Sequence, residues 1–158
     1  MEDDFDFEKI YKVLEKKYDL PTIGLLSEDF DIEKITDKET EFTLREIRRT
    51  MNEKFSAYLH FCENLINPSG QPMFLFSIIR NISDNDKTKI KEIYNELAKF
   101  QIEILKLDTI YSEENEASFI KNSFEKWQIL KQDFYKIVEK FEEKFEETEN
   151  TNKSAYFN

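Results

Sequence analysis

Glycine and proline are almost missing from this chain. Its 158 residues include two glycines and three prolines, and all five fall within positions 21–24 and 68–72. A β-rich or α/β fold needs many such residues in its turns, so their scarcity excludes both classes. Gly-rich phosphate loops and nucleophile elbows are excluded as well, because they need several glycines at fixed spacing. The long uninterrupted stretches predict an all-α protein.

Cysteine and long apolar runs are also scarce. Cys62 is the only cysteine, so the chain can form neither an internal disulfide nor a four-cysteine zinc site. The longest nearly continuous apolar run, 73–79, is far shorter than the roughly 20 residues that cross a bilayer. Residues 1–5 are acidic and do not resemble the start of a signal peptide. We therefore expect a cytoplasmic protein without a transmembrane span.

Positive charge is in short supply. Lys and Arg total 23 against 34 Asp and Glu, which gives a formal net charge of −11. Such a surface repels nucleic acid and anionic membranes, so we expect neither as a partner. The length suits one domain with its own core. We expect a single helical domain over 1–147, with an N-terminal arm of short helices at 1–36 and a bundle core at 37–147, followed by a disordered tail at 148–158.

The spacing of apolar residues predicts three long helices. A capping box at 36–39 predicts the start of the first, which should reach about Asn67. Ser83 and Asp84 predict the start of the second, reaching about residue 111, and a turn at 112–115 precedes a third that reaches about 147. Shorter helices are predicted over 4–18, 28–35 and 72–82. The matched lengths of the long helices predict an antiparallel bundle with the short helices packed across it.

The third long helix carries a heptad pattern typical of a coiled-coil seam. One core position holds Ile120, Trp127, Phe134 and Phe141, and the other holds Phe124, Val138 and Phe145, with Lys131 as an exception. In the first long helix, the apolar residues fall in one sector. They are Leu44, Ile47, Met51, Phe55, Tyr58, Cys62, Leu65 and Ile66.

Two polar residues, Gln101 and Asp108, lie on the apolar stripe of the second long helix. A carboxylate on a core stripe must be paired or hydrated. We expect a structural contact with Lys131, Arg48 or a tyrosine hydroxyl, and a ligand-binding role is the alternative. Arg45 and Arg48 lie along one flank of the first long helix, a placement suited to an anion or an acidic neighbour. The candidate ligand-binding set is therefore Arg45, Arg48, Gln101 and Asp108.

Metal and acid–base chemistry have little support in the sequence. His60 is the only histidine and faces away from the apolar sector of its helix, so neither a catalytic histidine nor a di-iron site is expected. Glu139 with Glu142, and Glu143 with Glu146, have the spacing of a carboxylate magnesium site. Only Glu142 borders the core sector, which favours solvated surface charge. We expect no metal, no cofactor and no catalytic residue.

Two resemblances to known families can be named. Residues 44–65, with Leu44, Arg45 and Glu46 followed by Met51 and Leu65, resemble the first helix of the all-helical chorismate mutases, whose dimers bind a dicarboxylate with arginines. That resemblance implies an anion-binding role for Arg45 alone, because Cys62 or Glu63 stands at the position of that family's second arginine in this helix. The layout from Asn67 to Trp127 is similar to that of small all-helical archaeal hypothetical proteins, which implies the same fold and no activity.

Some apolar residues fall outside the expected core. The short helix at 73–82 is apolar around its whole circumference, and Ile102, Ile110 and Ile129 lie outside their own core sectors. These surfaces predict a non-enzymatic interaction or scaffold module that self-associates or binds a protein partner. The predicted interface residues are Phe74, Phe76, Ile78, Ile102, Ile110 and Ile129. The alternative is a helical-bundle enzyme that binds a small molecule or anion, either chorismate-mutase-like or of carboxylate-metal type.

Overall fold

The computed structural model describes residues 5–70 and 72–156 and shows only helices and their connections in this part of the chain. The α-helices are α1 (Phe7–Tyr18), α2 (Ile23–Asp29), α3 (Thr43–Ile66), α4 (Met73–Arg80), α5 (Asp84–Thr109) and α6 (Glu113–Tyr156), and a 3₁₀ helix spans Ile32–Ile35. The all-α prediction is confirmed. No helix in the described ranges is both long enough and apolar enough to cross a membrane.

The three long helices α3, α5 and α6 pack against one another and form the bundle. Gln101 of α5 donates a 2.8 Å hydrogen bond to Asn52 of α3. Lys126 of α6 lies 3.4 Å from Glu96 of α5. Further along, Asp108 of α5 contacts Arg48 of α3, and Asp86 of α5 contacts Lys140 of α6, so contacts move down one helix as they move up the other. Both α3 and α6 therefore run antiparallel to α5 and parallel to each other. The predicted antiparallel bundle of three long helices is confirmed.

Aromatic side chains fill the centre of the bundle. The rings of Phe55 and Trp127 lie 5.7 Å apart, and Phe30 packs edge-on against Phe55 at 5.5 Å. Phe30 follows α2, so the N-terminal arm contributes to the core and covers part of the seam between α3 and α6. Within the arm, the hydroxyl of the buried Tyr11 donates a hydrogen bond to the carbonyl oxygen of Pro21, which joins α1 to the segment before α2.

The start of α3 differs from the prediction. The capping box at 36–39 does not open a helix, and α3 begins at Thr43. The Thr36 hydroxyl instead donates to the carbonyl of Glu33, at the end of the 3₁₀ helix. That short helix buries Ile32 and Ile35, so the chain must turn once more before α3 can begin. The predicted cap at Ser83 is confirmed, since its hydroxyl accepts a hydrogen bond from the Asp86 amide.

The short helices also shift from their predicted positions. Thr22 caps α2, which occupies Ile23–Asp29 and ends near the start of the helix predicted at 28–35. Burial of Leu26 and Phe30 explains this placement, because it turns the apolar side of α2 towards the core. In α4, Pro72 is the residue before the helix and the helix ends at Arg80.

The heptad prediction for α6 is half correct. Ile120, Trp127 and Phe141 are buried and Phe134 packs against the core, as predicted. At the predicted second core position, Phe124 packs against the core, but Val138 and Phe145 are 40% and 42% exposed, so the predicted register is wrong there. The residues that occupy that position are Glu116, Ser123, Leu130 and Ile137, all of them buried. Two of these four are polar, so hydrophobicity alone could not show the true register.

α6 is far longer than its partners, with 44 residues against 24 in α3 and 26 in α5. It continues past the predicted end at 147, and 148–156 are helical where a disordered tail was predicted, while 157–158 lie outside the described residues. No glycine or proline ends the helix, and the hydroxyls of Thr148 and Thr151 donate to carbonyls one turn earlier. No described residue beyond Phe141 is buried. We call residues 142–156 the overhang.

Candidate functional site

A buried ion pair joins α3 to α6. The Arg48 guanidinium donates from Nε to Oε2 of Glu116 at 2.8 Å and from Nη2 to Oε1 at 3.0 Å. The two side chains are 1% and 0% exposed. This bidentate geometry is the strongest form of an arginine–carboxylate contact. Glu116 lies near the N-terminus of α6, where the helix dipole favours a negative charge.

Asp108 of α5 completes the contact. Its Oδ1 lies 2.9 Å from Nη2 of Arg48, and its side chain is 47% exposed. Of the partners predicted for Asp108, the structure shows Arg48. Burial lowers the pKa of Arg48, but hydrogen bonds to Glu116 and Asp108 outweigh burial, so that the pKa is raised overall. One permanently charged guanidinium thus links all three long helices.

Arg45 lies beside this pair and between two aromatic rings. Its guanidinium carbon is 5.1 Å from the centre of the Phe42 ring and 4.7 Å from that of Tyr111. Its Nε is 3.8 Å from Glu116, and that buried N–H has no hydrogen-bond partner among the described residues. Burial raises the pKa of Tyr111, and the carboxylates of Glu113 and Glu116 add to this effect. Arg45 is therefore held mainly by cation–π contacts.

The structure brings three of the four predicted ligand residues together and leaves the fourth apart. Arg45 and Arg48 both approach Glu116, and Asp108 contacts Arg48. Gln101 instead bonds to Asn52, about two helical turns away from Asp108. Sequence reasoning missed Glu116, which looks like surface charge in the first turn of a helix. The signal that could have found it is the seven-residue spacing to Ser123, Leu130 and Ile137.

The cluster of Arg45, Arg48, Asp108 and Glu116 is charge-balanced, with two cations and two carboxylates. An anionic ligand would have to displace Glu116 from a fully buried guanidinium, which would leave a carboxylate without its partner in a low-dielectric interior. The geometry therefore supports a structural crosslink between helices and gives no support to a binding site for an anion.

A groove opens on the seam between α3 and α6, next to the part that the N-terminal arm covers. It has a volume of about 590 Å³. Its walls include Asp29, Lys54, Tyr58, Trp127, Lys131, Phe134, Tyr135 and Val138. The Tyr58 ring packs edge-on against Trp127 at 5.1 Å and lies 4.7 Å from Phe134. The groove is therefore aromatic along its floor and carries charge at one end.

The charged end of the groove is built around Asp29. Lys131 donates to both carboxylate oxygens, at 3.0 and 2.8 Å, and Gln128 donates to one of them at 2.8 Å. Lys54 donates to the main-chain oxygen of Asp29. Burial raises the pKa of Asp29, but hydrogen bonds from Lys131 and Gln128 outweigh burial and lower it overall. Two lysines against one carboxylate leave this end positive, on a protein that is acidic elsewhere.

The predicted interface residues have different environments. Ile102, Ile110, Ile129 and Phe76 are exposed. Ile78 is buried in the chain's own core, so its assignment to an interface was wrong, because α4 turns this residue inward where it joins the core. The side chain of Phe74 lies outside the described residues.

Sequence reasoning missed a second set of exposed apolar residues, on α6 itself. Tyr135, Val138 and Phe145 are 62%, 40% and 42% exposed, and their spacing of three and seven residues places them on one face of the helix. Val138 and Phe145 were assigned to the core. Their exposure follows from the true heptad register, which turns the seam towards Leu130 and Ile137.

His60 is exposed, as predicted, and lies 3.7 Å from Glu63. Within the described ranges, no three His, Cys, Asp or Glu side chains are grouped closely enough to hold a metal ion. No protein-family model, no curated protein and no solved structure matches the chain. The candidate site therefore rests on its own geometry.

Proposed function

We propose that this protein is a helical interaction module, not an enzyme, and that it self-associates through the exposed face of α6. The observation that carries the proposal is the strip formed by Tyr135, Val138 and Phe145. Single exposed apolar residues are common on protein surfaces. Three of them along one face of one helix, continuous with an aromatic groove, form the kind of surface that binds another protein.

The length of α6 supports the same proposal. The overhang extends α6 past its last buried residue, Phe141. An isolated helix of about 15 residues is marginal in water, and most helical stability in proteins comes from packing. A second protein surface along the overhang would supply that packing.

The charge of the protein favours another protein as its partner over nucleic acid or a small anion. The formal net charge of −11 opposes binding to nucleic acid. The internal pairing of Arg48 removes the main support for an anion-binding enzyme. A cytoplasmic location remains part of the proposal, based on the single, unpaired cysteine.

Light scattering coupled to size-exclusion chromatography, over a wide range of protein concentration, tests the proposal. We expect a dimer mass that falls towards the monomer on dilution. Val138→Glu should shift this equilibrium to the monomer, because it places a charge on the strip. Ile110→Glu is the matched control, since Ile110 is also exposed but lies at the turn between α5 and α6. A strict monomer at every protein concentration would contradict the proposal.

A further inference from the structure

We infer that the groove between α3 and α6 receives the overhang of a second copy of the chain. The inference rests on the proposed self-association and names its contact. Helix α6 both lines the groove and continues into the overhang. A single two-fold axis would therefore place the overhang of each copy in the groove of the other. An interface of this kind uses the same patch on both subunits.

The groove and the overhang lie on one face of α6. At about 100° per residue, Lys131, Tyr135 and Val138 share a sector about 80° wide with Glu142, Phe145 and Glu149. The first three residues line the groove, and the last three belong to the overhang. The face is therefore continuous from one feature to the other.

The spacing along this face suits an antiparallel pair of α6 helices. With the two-fold axis near residue 140, Tyr135 lies opposite Phe145 of the second copy, and Lys131 lies opposite its Glu149. The first pair stacks two partly exposed aromatic rings. The second pair brings Glu149 beside Lys131, which also donates to Asp29 in its own chain. The symmetry repeats both contacts.

Charge and length agree with this arrangement. The overhang carries five glutamates against two lysines, and the charged end of the groove carries two lysines against Asp29. Complementary charge of this kind sets orientation and register. A rise of about 1.5 Å per residue makes the overhang about 20 Å long, and the groove between Trp127 and Val138 about 16 Å long. A parallel pairing would instead align the glutamates of one overhang with those of the other.

Disulfide crosslinking of the full chain tests the register. Within one chain, positions 135 and 145 are about 15 Å apart along α6, too far for a disulfide, which needs Cα atoms within about 7 Å. The double variant Tyr135→Cys/Phe145→Cys should therefore form an intermolecular disulfide under mild oxidation. Neither single variant should form one with itself, but an equal mixture of the two should form the mixed dimer. Cys62 is buried and should take no part.

The outcomes separate this inference from the proposed function. If Tyr135→Cys alone crosslinks, or if the protein is a dimer and no variant crosslinks, the contact lies elsewhere and only this inference fails. A strict monomer overturns both. As a second measurement, Glu149→Lys should weaken association by about tenfold, because it faces Lys131. Glu147→Lys makes the same charge change about 160° around the helix from this face and should leave association unchanged.

Discussion

Arg48 and Glu116 are 68 positions apart in the sequence, yet they meet through two parallel hydrogen bonds in the interior of the bundle. Neither side chain reaches water, and the half-exposed carboxylate of Asp108 closes the remaining side of the guanidinium. Each of the two buried charges depends on the other, because a lone buried charge is far more costly than a paired one.

Replacing Glu116 by glutamine should destabilise the protein strongly. The change leaves the shape of the side chain but removes the charge that balances Arg48, which should cost about 3–5 kcal/mol. Urea unfolding followed by circular dichroism, at one fixed protein concentration, measures the loss. Asp108→Asn is the matched control and should cost about 1 kcal/mol or less, because Asp108 is half exposed. Equal losses in the two variants would contradict a dominant buried pair.

The two glycines should respond in opposite directions to replacement by alanine. Gly70 has φ of +76° and open space where a Cβ would lie, so alanine there should cost about 1 kcal/mol through backbone strain alone. Gly24 lies within α2, and a Cβ there meets only the Thr22 hydroxyl at 3.9 Å. Gly24→Ala should therefore stabilise the protein by about 0.5 kcal/mol. Thermal unfolding of both variants measures whether each substitution raises or lowers stability. A loss of stability at both positions would show that α2 needs its glycine.

Cys62 should be inert while the protein is folded. Burial raises the pKa of its thiol to about 12, with a smaller contribution from Glu63. At pH 8 only about one thiol in ten thousand would then be ionised, and the thiolate is the reactive form. A chromogenic disulfide reagent should label the native protein slowly, at a rate set by unfolding. The same reagent should label the protein at once in urea, and rapid labelling without urea would contradict the burial of Cys62.

Asp86 should contribute to acid sensitivity. The hydrogen bond from Lys140 holds the pKa of Asp86 below its ordinary value of 3.8, despite an opposing effect of burial. As the pH falls below that value, the unfolded chain takes up the proton first, so stability is lost until the folded carboxylate is protonated too. Asp86→Asn should therefore flatten the fall in unfolding free energy below about pH 4. Asp84→Asn removes the same charge at an exposed position two residues away, and it is the matched control for the loss of one carboxylate from this helix end.

Much of the fold follows from local features of the sequence. The missing glycines and prolines and the three-to-four spacing of Ile90, Ile93 and Leu97 define a long helix whatever surrounds it. The cap at Ser83 is equally local. The start of α3 was misplaced because the burial of Ile32 and Ile35 depends on the tertiary contacts of the arm. The capping-box sequence at 36–39 does not reveal that burial of these two residues prevents a helix from starting there.

The candidate site could be predicted only in part, for a physical reason. An acidic residue on the core stripe, Asp108, indicated that a cation should lie nearby, and Arg48 is that cation. Glu116 was hidden because a glutamate in a first turn is usually exposed, and because Ser123 follows it at the next seam position. The exposed strip on α6 was missed for the same reason, since the wrong register placed Val138 in the core.

The seam of α6 changes character along its length, from Glu116 and Ser123 near its N-terminus to Leu130 and Ile137 further on. Apolar layers of similar size allow one helix to shift along its neighbour, because each lost apolar contact is replaced by a similar one. A slide of one heptad would bring Ser123 beside Arg48 and strand the guanidinium in the dry interior without a counter-ion. Glu116 thus fixes the position of α6 along the axis of α3, so that the two parallel helices can pair in only one register.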